Sequence, residues 1–320
     1  LPYMLYYVCL KGWSKIRIRV LGVAAGGGFP QWNCACPNCN GVRDGDIKLK
    51  PMLQSSLAIS ANDKDWYLIN AGPDVSRQIE TFSELHAGPG IRETPLAGVI
   101  LTDAELDHSI GLLSLREGSH LTIYGTETVR KCLHAAFPVI PMLKNYCSWE
   151  WQTLNPDYKE RIGDTSEGSL LIETIPVSIK PPLYAQSNPD SSTEIWEVGL
   201  LLQNERSGKC VAYFPTLDTM TPEIESALHK ADILLVDGTF WSEDELVALG
   251  ATKRNARDMG HLPISGTSGI IENLASFSAE RKILIHINNS NPILKKGSKE
   301  ADMLEQHGIE IAYEGMELEV

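Results

Sequence analysis

Leu101–Gly111, L-T-D-A-E-L-D-H-S-I-G, concentrates more reactive side chains than any other stretch of the chain. Asp103, Glu105, Asp107 and His108 are all groups that can ligate a metal or move a proton. The apolar run Ala97–Leu101 before them predicts a buried strand, and Gly111 with Leu112, Leu113 and Leu115 predicts the entry to a helix. A short strand-to-helix loop holds that much ionisable chemistry inward only around a cation or a ring of hydrogen bonds. The alternative is a solvated acidic loop that caps the helix.

A second cluster lies upstream. Cys34, Cys36 and Cys39 form C-x-C-x-x-C, a spacing that can set three thiolates around one tetrahedral zinc. No other Cys or His is near in sequence, so a distant histidine is expected as the fourth ligand of a structural Zn2+. The total of seven cysteines is odd, and the other four are scattered. This fits a reducing, cytoplasmic setting with a metal site better than a disulfide framework.

The elements that must position these groups follow the hydrophobic pattern. Ile16–Val23 alternates at period two and runs into the glycine-rich Ala24–Pro30. That loop lacks both the Gly-Lys-Ser/Thr ending of a P-loop and the G-x-G-x-x-G spacing, so it reads as a tight turn. Gln54–Ser60 and Trp66–Asn70 predict a hairpin, and Val75–Phe82 a helix. Strands are expected at Leu121–Tyr124, Trp149–Leu154, Leu170–Pro176, Glu197–Gln203, Cys210–Phe214, Ile233–Val236 and Lys282–Ile287. Helices are expected at Glu127–Ala136, Pro222–His229 and Ile270–Phe277. Strands alternating with helices predict a layered α/β domain over residues 16–320, with residues 1–15 a loosely held extension. Polar residues then fall just after apolar strands at Asp107/His108, Asp218, Asp237 and His286, where sites collect in such folds.

Bulk composition narrows the classes. The 320 residues carry a net charge of −13, which argues against a nucleic-acid partner. No stretch reaches the ~18–20 apolar residues of a membrane helix, and the opening residues lack the basic region and cleavage site of a secretory signal.

The order of these motifs resembles the metallo-β-lactamase superfamily, a four-layer αβ/βα sandwich. That superfamily's main motif, L-T-H-x-H-x-D-H-x-x-G, is matched at Asp107, His108 and Gly111, while Asp103 and Glu105 stand where histidines are usual. Asp218 matches its bridging aspartate and His286 its C-terminal histidine; Ile69-Asn70-Ala71-Gly72 is an altered I-D-A-G, and the intermediate histidine is missing. One metal position therefore loses its histidines. The other retains Asp107, His108, Asp218 and His286, a set that suits a single non-haem Fe(II) able to bind O2. Asp103 and Glu105 could still hold a harder second ion.

Longer motifs narrow the resemblance. V-L-G-V-A-A-G-G-G-F-P-Q-W-N-C, D-G-T-F-W, M-G-H-L-P-I-S-G and H-I-N-N-S-N-P-I-L resemble the pyrroloquinoline quinone (PQQ) biosynthesis protein B family nearly throughout from Ile16. The resemblance implies O2-dependent hydroxylation of the tyrosine ring of a Glu–Tyr-derived, dipeptide-like precursor. It also implies contact with other proteins of the pathway, with a homodimer an open expectation. The alternatives are a carrier moving the quinone or its precursor towards the periplasm, and a metallo-hydrolase of the phosphodiesterase type. Asp103 and Glu105 would orient a ligand histidine or accept a phenolic proton. His261 matches a histidine standing outside the ligand set in related tRNA-processing nucleases. Trp241 is a candidate to stack on the tyrosine ring, with plain packing the commoner fate of such an aromatic, and Arg254 and Arg257 to receive carboxylates, with solvated loop arginines the default.

Overall fold

Apolar alternation and apolar runs become the strands of two sheets in the computed structural model, which describes residues 15–118, 120–163, 169–186 and 194–320. Apart from Lys15, the expected N-terminal extension lies outside the described residues. In chain order the first sheet takes β1 (Arg17–Gly22), β2 (Ser56–Ser60), β3 (Trp66–Ile69), β4 (Leu96–Ile100), β5 (His120–Gly125) and β6 (Ser148–Thr153). The second takes β7 (Lys159–Ile162), β8 (Leu170–Ser178), β9 (Glu197–Asn204), β10 (Cys210–Phe214), β11 (Ile233–Asp237), β12 (Arg281–Ile285) and β13 (Ile309–Ile311). The chain then returns as β14 (Glu317–Glu319) to pair with β1. The sheet orders are β14-β1-β2-β3-β4-β5-β6 and β13-β12-β11-β10-β9-β8-β7. This is the metallo-β-lactamase sandwich of two mixed sheets flanked by helices.

Period-two alternation explains how the layers divide. In β2, Leu57 and Ile59 join Leu200, Tyr213 and Leu235 in a core shared by both sheets, while Ala58 faces a second core with Trp66 and Val99. The helix Glu127–Ala135 covers that outer core with Val129 and Leu133, and Thr126 caps it by accepting from Val129 N. β10 and β11 are parallel and wholly buried, which is why they read as continuous apolar runs. The strand ends of β4, β10, β11 and β12 carry the polar groups.

Several boundaries differ from the sequence expectation. A helix forms before Gly111, at Leu106–Ser109, and tightens to 3-10 geometry over Ile110–Leu115. The reason is that His108 O accepts from Ala71 N (2.7 Å) and Gly111 N donates to Ala71 O (2.8 Å), which diverts bonds from the helix. The expected Ile270–Phe277 helix closes at Leu274. A helix at Pro37–Arg43 was not legible among Cys, Asn and Gly; Pro37 starts it and the Cys36 sulfur caps it, accepting from Cys39 N. The short edge strands β7, β13 and β14 and the helix Lys299–Gln306 were also missed. Among the described residues, no helix is long and apolar enough to cross a membrane.

Candidate metal centre

The acidic loop after β4 is locked to the turn after β3. Asn70 adopts a left-handed conformation (φ 63°), which asparagine tolerates, and its side chain accepts from Thr102 N at 3.0 Å. Gly72 is required here, because a Cβ would stand 2.4 Å from Asp107 O. Asp103 and His108 are consequently buried, each with its side chain 1% exposed.

Asp103 faces His108 rather than the cleft. Its Oδ2 lies 2.7 Å from His108 Nδ1 and accepts from Thr102 Oγ1 at 2.6 Å, and its Oδ1 accepts from Glu105 N at 2.9 Å. With Nδ1–H donated to Asp103, Nε2 is the His108 atom that can hold a metal once its own proton is displaced. That Nε2 is buried and has no hydrogen-bond partner. Asp107 Oδ2 lies 4.0 Å from it and 3.4 Å from His286 Nε2. One ligand atom each from Asp107, His108 and His286 falls within 4.8 Å of the others, a donor set that fits a cation.

His286 follows β12 with φ 59°, a conformation costly for a non-glycine residue by about 1–3 kcal/mol. Its Nδ1 lies 2.9 Å from Thr239 Oγ1, whose hydroxyl reaches Asp237 Oδ1 at 2.6 Å. Asp237, at the end of β11, also accepts from Leu217 N (3.0 Å), Thr239 N (2.9 Å) and His261 Nδ1 (2.8 Å). Asp237, His261 and His286 form a second close grouping, but the bonds to Asp237 already occupy both its oxygens. The grouping therefore orients His286 and His261, whose rings stack at 5.6 Å.

Ionisable groups are concentrated here and shift one another. Burial opposes ionisation of Asp103 and Asp107, but His108 outweighs it and holds both below the ordinary carboxylate range. Burial lowers the pKa of His108, yet Asp103 and Asp107 lift it to about 10. A metal entering would have to displace that proton. Glu105 is raised to about 7 by burial and then by Asp103 and Asp107, and buried Glu197 is raised by burial and by Asp103 and Glu105. The cleft has a volume of ≈ 470 Å³, with Glu105, Lys180, Glu197, Arg254 and His261 around the donor set.

The cysteines form a separate centre. The sulfurs of Cys34, Cys36 and Cys39 lie within 4.8 Å of one another, as three thiolates around zinc require. Burial raises the Cys39 thiol to about 12, with Cys36 and Cys34 adding to it. The distant histidine expected as fourth ligand is not there; among the described residues no histidine joins the three sulfurs.

Other candidates fall outside the donor set. Asp218 sits 3.4 Å from Ser178 Oγ and 3.6 Å from Lys180 Nζ, in neither histidine grouping, and its Oδ1 is buried without a partner. Trp241 packs against the core and is absent from the cleft wall, because its backbone is pinned to Glu245 and Ser265. Arg257 pairs with Glu243 at 3.0 Å instead of entering the cleft, whereas Arg254 lines it. Lys180, Glu197 and Thr239 were not singled out as site residues from the sequence. Thr239 had a local signal in D-G-T after an apolar strand; the other two depend on the packing of the sheets.

Comparison with known proteins adds family and fold. A beta-lactamase superfamily domain matches residues 65–287. Coenzyme PQQ synthesis protein B of Cupriavidus necator is 44% identical over 302 residues, 94% of this chain and 98% of that protein. The Klebsiella pneumoniae protein of the same name is 43% identical over 93% of this chain and 96% of its own length. The crystal structure of Zn(2+)-bound PqqB from Methylobacterium extorquens is similar at a TM-score of 0.84 and 33% identity, covering 95% of this chain and 100% of that one.

Proposed function

The chain belongs to the coenzyme PQQ synthesis protein B family, and from that premise we propose that it performs a metal- and O2-dependent hydroxylation in PQQ biosynthesis. The substrate in this reading is the tyrosine ring of a Glu–Tyr-derived precursor. The supporting observation is His108 Nε2, buried and unpartnered, with Nδ1 held by Asp103 and with Asp107 and His286 beside it. Two histidines and one carboxylate leave open positions, and Fe(II) in such a set supplies O2 binding and activation. Zinc fits the same donors, so iron is the functional part of the proposal.

The protein's own groups have distinct tasks. Asp103 and Thr239 fix the ring tautomers of His108 and His286. Glu105, with its pKa near 7, is matched to accepting a phenolic proton at the cleft wall. Lys180 and Arg254 line the same wall and can receive the precursor's carboxylates.

The test is O2 uptake by anaerobically Fe(II)-loaded protein given the cross-linked Glu–Tyr precursor. A two-electron reductant is included, because one oxygen atom enters the ring and the other leaves as water. The expected product gains one oxygen atom by mass spectrometry, and His108→Ala forms none. No uptake by the loaded parent would sink the oxygenase reading. Tight precursor binding that survives His108→Ala would then favour a carrier. A second reading has its own observation: Glu197 Oε2 and Asp218 Oδ1 are buried without partners. A harder second ion drawn in by these carboxyls would support hydrolysis, and metal-dependent cleavage of bis-aryl phosphates tests it.

A further inference from the structure

Glu197 stands where the two sheets meet at the cleft, and half of its carboxyl has nothing to bond. Val198 N, at the start of β9, donates to Thr102 O at 2.9 Å, which sets Glu197 beside the acidic loop after β4. Across the sheet Glu197 pairs with Ser178 of β8, whose Oγ lies 3.4 Å from Asp218 Oδ2. Thr216 is the hydrogen-bonding neighbour of the Glu197 carboxyl, and Oε2 is buried without a partner. Leaving such an oxygen unsatisfied is costly unless a ligand completes it. Burial first, and then Asp103, Glu105 and Asp218, push the carboxyl towards its neutral form, so a positive charge is what the position lacks. Among the described residues, neither Glu197 nor Asp218 belongs to a group of ligand atoms lying within 4.8 Å of one another. Oxygens spread in this way suit a cation that donates separate hydrogen bonds better than a bare ion that needs converging ligands.

The same wall carries a base. Lys180 lines the cleft with Glu197 and Thr216, its Nζ 3.6 Å from Asp218 Oδ2 and 3.3 Å from Arg257 O. An acceptor and a cation side by side match the two charged groups of an amino-acid end. We propose that Glu197 is the seat of an α-ammonium group and Lys180 of the carboxylate on the same carbon, so that the cleft selects a ligand with a free amino-acid end. This deepens the oxygenase reading and rests on it for the identity of the ligand, the Glu–Tyr-derived precursor. An uncharged group at that end would leave the Glu197 carboxyl without its cation, and a site built around a polar partner rejects ligands that lack it.

Binding is measured by calorimetry on the full-length, zinc-loaded protein, so that affinity is read without turnover. The probes are the cross-linked Glu–Tyr precursor and two analogues, each with one α-ammonium group replaced by hydrogen. One analogue should bind roughly tenfold to a hundredfold more weakly than the precursor. Glu197→Gln should weaken the precursor by a similar factor, yet bind that analogue as the parent does. This non-additivity is the mark of direct contact. Equal weakening of all three ligands by Glu197→Gln would make the residue structural and overturn the proposal. If Glu197→Gln does not fold, Glu197→Asp replaces it, and an undiminished preference for the precursor over the analogue overturns the assignment. If both analogues bind the parent as tightly as the precursor does, the ammonium seat is overturned while the substrate reading stands. Mn(II) taken up by the zinc-loaded parent and lost from Glu197→Gln, with precursor affinity unchanged, overturns it in favour of a second ion. No binding of the precursor by the parent removes the substrate reading and the proposal together.

Discussion

The cleft and the knuckle are both ligand clusters, built on opposite principles. In the cleft, His108 and His286 each spend one ring nitrogen on a protein partner and direct the other at Asp107. The three donors leave room around an ion, and burial with neighbouring carboxylates pushes Glu105 and Glu197 towards their neutral forms. In the knuckle, three sulfurs gather around the side-chain amide of Asn289. Open coordination with tuned neighbours suits chemistry, and closed coordination suits fastening. The two are joined through the short segment from His286 to Asn291.

The largest effect is expected from His108→Ala. It removes a donor and leaves Asp103 buried without its partner, a loss of about 3–5 kcal/mol when a buried pair is broken. Metal content should show the cleft ion lost and the knuckle ion kept, with the melting temperature lowered. Cys36→Ser is the mirror experiment: the knuckle should lose its ion while the cleft still binds, at reduced affinity because His286 is less well held. Because metal must displace the Cys39 proton, knuckle affinity in the parent should fall as pH falls. Retention of knuckle zinc by Cys36→Ser would break the contrast between the two seats.

Asp103→Asn comes next. The amide can donate to His108 Nδ1, which turns the ring's N–H towards the cleft, and metal affinity should drop about 10–100-fold. Thr239→Val acts on His286 in the same way, nearer the lower end of that range. The smallest effect is at Glu105. Its carboxyl titrates near 4.5 when unfolded and at about 7 when folded, so the folded chain holds more protons between those values. Metal-free stability should therefore fall as pH rises through this window. Glu105→Gln should recover about 1–3 kcal/mol at about pH 8 relative to the parent, and nothing at about pH 4. Urea melts of chelator-treated protein at both values check the sign.

How much of this could be read from the sequence depends on how local each signal is. Asp107 and His108 sit in a motif ending at Gly111, and that glycine has a packing reason: a Cβ would meet Gly72 O at 2.1 Å. His286 was legible as a histidine after an apolar run. The strands were legible because they are buried on one face or both. Asp237 and His261 are 24 residues apart and meet only after the excursion from β11 returns to pair Leu217 with His261. Asn289 escaped because asparagine is an unremarkable residue until three sulfurs surround it. The expected distant histidine came from the commoner chemistry of such knuckles. Asp218 matched a motif position, but its contacts with Ser178 and Lys180 can be seen only once β8 and β10 are assembled.

The central claim is that two independent metal seats share one structural segment. Metal content per chain after anaerobic Fe(II) loading and desalting, in the parent and in His108→Ala, tests it most directly. The account predicts about one zinc and one iron in the parent, with only the iron lost from the variant. Iron retained by His108→Ala, or never taken up by the parent, would contradict it.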